Sequence, residues 1–321
     1  MQAGRRAITQ RDYRDEVRDF ATPVLFMRLP DGRLFQRKQL AIQTIRRRTT
    51  PDHARQMRQA LTRLNFRNHR YKFGDIYGKS QKMGAFLISG PDQAGHHWLR
   101  NLLLKEEFKE ELGGASNIDP IQIDIGNPTF VQTIDSLWEQ FTLQLVDPAA
   151  FLADKKGVIA ALLARWQAGH TIIVLDNICK KMPSYAQTVL QEFWQPLVTN
   201  LQQNIGQNGR SAPNHWFLLF MIDSAGTLPD LPLDNLDRSD PITPILLPRL
   251  SSHFPEAELD QWWRHGHTRS VLEPAVKQHN LESLDKLRQL IWQKSDNGSV
   301  LPLFNLLCRA CRVNWKEIEG L

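Results

Sequence analysis

Gly90 and Gly95 frame the segment Gly90-Pro91-Asp92-Gln93-Ala94-Gly95-His96-His97-Trp98, which follows the apolar run "GAFLIS" and precedes the helix-like "WLRNLL". Strand, glycine, four residues, glycine, helix is the layout of a phosphate-binding loop. A working loop cradles phosphates with backbone N–H groups and presents the positive end of the next helix. A Lys then reaches the outer phosphates, and a hydroxyl binds magnesium. Here His96 stands where the Lys belongs and His97 where the hydroxyl belongs. Imidazole is shorter than a Lys side chain and, with an ordinary pKa of about 6.5, mostly neutral at pH 7. Magnesium takes oxygen ligands, so His97 serves it poorly. Pro91 removes a backbone N–H. Asp92 puts a negative charge into a loop built for an anion, where its carboxylate is positioned to satisfy the helix N-terminus itself. Trp98 follows in the first helical turn, where a bulky ring would fill space that a nucleotide uses. Adjacent helical residues point about 100° apart, so His96 and His97 do not share one metal ion.

A second motif is equally partial. The run "TIIVLDN" ends in Asp176, where an ATPase holds magnesium, but Asn177 follows where a catalytic acid belongs. Asn takes no proton from water. Asp124 and Asp223 end two other apolar runs, so the strand ends form an acidic edge with no Lys or Arg to balance it, hostile to a triphosphate. No catalytic residue, cofactor or metal is expected at these positions.

The elements that place these residues alternate. Apolar runs at 84–90, 120–127, 170–177, 216–223 and 242–248 read as five strands, the last weakened by its prolines, with helical stretches between them. Strands apolar throughout are covered on both faces, which predicts a parallel sheet flanked by helices. After Pro248 the chain reads as helical. Before the first strand, periodicity predicts a short helix around Tyr13, Val17 and Phe20, a hairpin turning at Pro30-Asp31-Gly32, and a helix opening at Thr50-Pro51 with Met57, Leu61 and Leu64 on one face. The polar, glycine-containing stretch 68–83 reads as a linker, and 203–214 as a surface loop.

Charge divides the same way. Residues 1–75 hold 18 Lys and Arg against 7 Asp and Glu, and residues 76–321 hold 22 against 27. The division predicts a basic N-terminal adaptor or linker at 1–75, an α/β domain at 76–250 and a C-terminal helical subdomain at 251–321. No apolar run reaches the roughly 18 residues of a membrane span and no leader is evident, so a cytoplasmic protein with no membrane partner is expected. Three cysteines do not make a disulfide framework; Cys308 and Cys311, in an apolar helix-like run, read as core residues.

Five stretches in order carry a family resemblance: "ALTRLNFRNHRYKF", "GAFLISGPDQAGHHWLRNLL", "IIVLDNICKKMPSYAQTVLQEFWQPLV", "FLLFMIDSAG" and "ILLPRLSSHFPEAELDQWW", closed by "NGSVLPLFNLLCRACRVNW". The sequence resembles the inactive STAND modules, degenerate relatives of the signal-transduction P-loop ATPases. The resemblance implies a P-loop NTPase-like α/β fold with a helical close, no catalysis, and a signalling or scaffolding role in prokaryotic conflict systems through a protein effector or adaptor. Two other readings compete. One is a nucleotide-binding switch without hydrolysis. The other is nucleic-acid binding through the Arg-rich N-terminus, whose composition suits phosphate contacts. Trp98, Trp166, Trp194, Trp216 and Trp292 read as core. Trp262-Trp263, adjacent on one helix, do not both fit one core stripe, which makes one of them a candidate partner anchor.

Overall fold

The computed structural model describes residues 51–64, 66–78, 82–108, 119–145, 155–180, 182, 184–207, 214–227 and 240–319. The helix and hairpin expected before Thr50 lie outside the described residues. Gln56–Leu321 forms one compact unit.

Helix α1 (Pro51–Leu61) starts at a proline whose missing N–H costs nothing in a first turn. Met57, Leu61 and Leu64 are buried, as their spacing predicts. Residues 68–78 of the stretch expected to be a linker are instead helical: α2 (Arg67–Phe73) runs into a 3-10 turn, Gly74–Gly78. Its few apolar residues are what hold it. Phe73 stacks on Phe86 and meets Phe108 edge-on, and Ile76 lies directly over Gly84, where a side chain would displace it.

Five strands follow: β1 (Met83–Ser89), β2 (Ile121–Asp124), β3 (Thr171–Asp176), β4 (Phe217–Asp223) and β5 (Ile245–Leu246). They form one parallel sheet in the order β2-β3-β4-β1-β5. The interior strands β3 and β4 are buried along their whole length, as is β1 up to Ser89; β2, at the edge, alternates buried and exposed. One face carries α4 (Ile134–Leu145), α5 (Lys155–Ala168), and a long element in which α6 (Tyr185–Thr188) widens into a π-helical stretch, Val189–Trp194, before continuing as α7 (Gln195–Gln207). Met83, Ala85 and Leu87 share that face's core with Phe141, Trp166, Phe193 and Trp194. The other face has Phe86 stacked on Phe220. There α3 (His96–Leu102) extends into a second π-helical stretch, Leu103–Glu107.

The C-terminal helices are α8 (Glu256–Arg264), α9 (Gly266–Gln278), α10 (Leu284–Lys294), α11 (Val300–Ala310) and α12 (Trp315–Glu319). Among the described residues, no helix is long and apolar enough to cross a membrane.

Candidate functional site

The sheet brings its strand ends level. Ser89 pairs in register with Asp223, and Asp124 with Asp176, so the last residues of β2, β3, β4 and β1 form a row at one end of the sheet. The loop 90–95 rises from β1, an interior strand, which is where open parallel sheets place their ligands.

That loop is bonded to itself. His96 is 4% exposed, and its Nε2 lies 3.2 Å from the carbonyl oxygen of Gly90. A carbonyl only accepts, so the ring presents Nε2–H and spans the loop from one end to the other. Burial pushes the His96 pKa down, and the neighbouring His97 pushes the same way; the Gly90 contact, Asp223 and Asp92 oppose them. The ring is thus held neutral. Ala94 N–H donates to the Pro91 carbonyl. Gln93, at φ 62, and Gly95, at φ 82, take left-handed conformations. Asp92 accepts from the N–H of Gln93 and not from α3, whose first turn has no side-chain cap. The expected carboxylate cap is therefore absent: Asp92 bonds instead to the N–H of the next residue, Gln93.

The row of carboxylates is bonded largely to its own neighbours, although Asp176 Oδ1 is buried without a hydrogen-bond partner. Asp223, fully buried, accepts from Ser89 Oγ at 3.3 Å and from Ala225 N–H at 3.2 Å. Asp176 accepts from Gln122 Nε2, and its other oxygen lies 3.7 Å from His97 Nδ1, an ion pair whenever His97 is protonated. Asn177 does not face an open site. At φ 58 it donates through Nδ2 to Asp124 Oδ1 at 2.9 Å and accepts from Ser224 Oγ.

The edge is not without a cation, contrary to the sequence-based expectation. Arg100, 9% exposed, sits one helical turn beyond His96; burial lowers its pKa while the charges of Asp176 and Glu319 oppose that. The spacing i to i+4 from His96 was the available signal, since residues four apart share a helix face. Trp98 is buried, but not in the loop. It packs away from it, edge-on to Phe304 and tilted against Trp315.

The C-terminal segment covers what remains. Leu301 N–H donates to Gln93 O, Leu250 N–H to Ser89 O, and Arg249 Nη2 to Gly226 O. A Cβ added to Gly95 would stand 3.1 Å from Val300 Cγ1, and one added to Gly90 would stand 2.6 Å from Leu250 Cβ. These contacts are non-local, and no loop motif announces them.

Elsewhere, all three cysteines are buried free thiols, with Cys179 and Cys311 pushed up to about 12 by desolvation. Trp262 and Trp263 are both 4% exposed, which corrects the expectation of a partner-facing ring. Leu259, Trp262 and Trp263, at i, i+3 and i+4, share one broad buried face of α8, and Trp262 Nε1 donates to Ala60 O at 2.7 Å. Two surface clefts lie away from the loop. One, of about 510 Å³, involves Arg63, Phe66, Arg70, Trp262 and His265; the other, of about 410 Å³, involves Trp263, Arg269 and Lys277.

Among solved structures, a Walker-type ATPase of Pyrococcus abyssi is similar to this chain at 13% identity and a TM-score of 0.40, with 77% of this chain and 67% of that one covered. No curated protein matches it. The family model described as inactive STAND matches residues 61–222, which contain the loop, Asp124, Asp176, strands β1 to β3 and β4 up to Ile222. The strand–loop–helix with His96 and His97 in place of the phosphate-binding side chains, and the matching of that whole stretch, place the chain in a family: it belongs to the inactive STAND proteins.

Proposed function

We propose that the chain is a non-catalytic signalling or scaffolding module of a prokaryotic conflict system, recruiting or holding an effector through protein–protein contact. The observation that supports this is the placement of His96. A loop whose own imidazole is buried against its first glycine carbonyl offers a phosphate neither a cation nor a vacant cradle. Gly90 and Gly95 then keep the backbone path, while His96 and His97 replace the ligand-binding side chains. Asp176 and Asn177 serve as bolts between strand ends. No cofactor is required. On this reading the basic residues before Gln56 act as the adaptor, the residues from Gln56 to 250 as the rigid NTPase-like body and 251–321 as its helical cover.

The test has two arms. Titration of ATP with magnesium should give no saturable heat at millimolar concentration; micromolar binding abolished by Gly95→Asp would instead make the chain a nucleotide-gated switch. Purified intact chain mixed with the proteins encoded beside its gene should give a stoichiometric complex with one of them. If none binds while DNA or RNA does, with a steep salt dependence, the basic N-terminus is a nucleic-acid adaptor.

A further inference from the structure

Helix α12 is five residues long, far below the roughly 12–15 at which an isolated helix becomes even marginal in water. It exists because it is docked. Trp315 stacks on Phe304 with ring centroids 4.8 Å apart and tilts against Trp98 at 5.3 Å, and Ile318 is fully buried. Its anchor on α3 is polar as well: Asn101 Nδ2 donates to the carbonyl of Glu319 at 2.5 Å. The Glu319 charge acts on Arg100, whose other anionic neighbour is Asp176 on the sheet. The link back to α11 turns at Arg312, a non-glycine residue at φ 57, a conformation that persists only where surrounding contacts enforce it.

We propose that α12 is a releasable strap: docked, it holds the loop helix α3 closed, and released, it exposes Trp98, Phe304 and Arg100 together. The strap has two states and no stable intermediate, because it loses its helix when it loses its contacts. The loop end of α3 is pinned separately, by Val300 against Gly95 and by Leu301 N–H on Gln93 O. Strap release therefore loosens the far half of α3 first. Exposed in this way, two aromatic faces and a guanidinium are the residue types that dominate binding hot spots. The fold thus carries a gate next to the loop that works without a nucleotide.

Hydrogen exchange of the full chain tests this. In Trp315→Ala, the amides of residues 99–102 should exchange at least about tenfold faster, while β3 and β4 keep their protection, the pattern of local rather than global opening. Asn101→Ala, which removes the strap's polar anchor from a half-buried position, should accelerate residues 99–102 and 315–319 selectively by about threefold. Selective acceleration in either variant is the expected result. Should residues 99–102 be unchanged in both variants, or move only in step with β3 and β4 in both, α12 is a packing element and the proposal fails. The readout is loop-helix opening alone, so its failure leaves the effector-binding reading untouched.

Discussion

The loop after β1 and the turn after β3 are two degenerate halves of one site, and they have been closed in different ways. The turn is closed by its neighbours in the sheet. Asn177 is bonded to Asp124 on one side and Ser224 on the other, and Gly126 lies so close that a Cβ there would meet Asn177 Cβ at 2.6 Å. The loop is closed by itself and by distant sequence, through His96 on Gly90 and through Leu250, Val300 and Leu301. Where a working site of this layout carries an acid, Asn177 is a rivet between strands, and where it carries a Lys, His96 is a plug. A rivet tolerates little change. A plug depends on what presses on it.

The comparison breaks most sharply at Gly90. Gly90→Ala forces its Cβ into Leu250 and toward His96 Nε2, and overpacking of this kind costs about 1–3 kcal/mol; urea unfolding should show the loss as a lower midpoint. Asn177→Ala removes two side-chain bonds and a residue type that tolerates positive φ, for about 1–2 kcal/mol by the same measurement. Asn177→Asp, the change that restores an acid, should also destabilise. Its carboxylate would face Asp124 where an amide now donates, so its deficit relative to the parent is greatest at neutral pH and shrinks as the carboxylates protonate.

A smaller effect separates the plug from its surroundings. Because burial holds the His96 pKa below its ordinary value, the unfolded chain takes up that proton first. The corresponding stability is complete above about pH 6.5 and is lost as pH falls below it. His96→Gln should flatten part of that decline in a pH series of unfolding midpoints. His69, depressed by burial in the same way, keeps the rest. The smallest expected effect is none at all. Millimolar ATP with magnesium should leave the melting temperature unchanged, whereas a ligand present at 100 times its Kd would add about 2.7 kcal/mol and raise it by a few degrees. The double change His96→Lys with His97→Thr should give no ATP turnover in a phosphate-release assay, since Asn177 still follows Asp176 and Leu250 still presses on the loop.

Elements with a local cause were legible in the sequence. The five apolar runs became five parallel strands, and the Asp residues that end three of them lie within one residue of level. Long-range causes were not legible. Residues 68–83 looked like a linker because most of their side chains are polar; two apolar contacts, Phe73 on Phe86 and Ile76 on Gly84, were enough to order 67–78. Trp262 and Trp263 looked too bulky to be buried together because adjacent helical residues point about 100° apart, but with Leu259 they fall at i, i+3 and i+4 on one broad buried stripe. Arg100 was missed for a different reason. Its partners, Asp176 and Glu319, are 76 and 219 residues away, and only the turn spacing from His96 pointed to it.

The two ends of the sheet carry one more consequence. On one side β5 pairs for two residues, with Pro244 and Pro248 flanking it; on the other, β2 is four residues long, with Gln122 and Asp124 on its exposed face and Gln144 donating to the Gln122 carbonyl. Among the described residues, neither margin offers a long ladder of N–H and C=O groups to a strand from another molecule. Prolines, a charge and a capped carbonyl are the means by which sheets avoid growing edge to edge into aggregates. These margins keep copies of the described sheet from joining edge to edge, so they do not favour a partner that binds by strand addition.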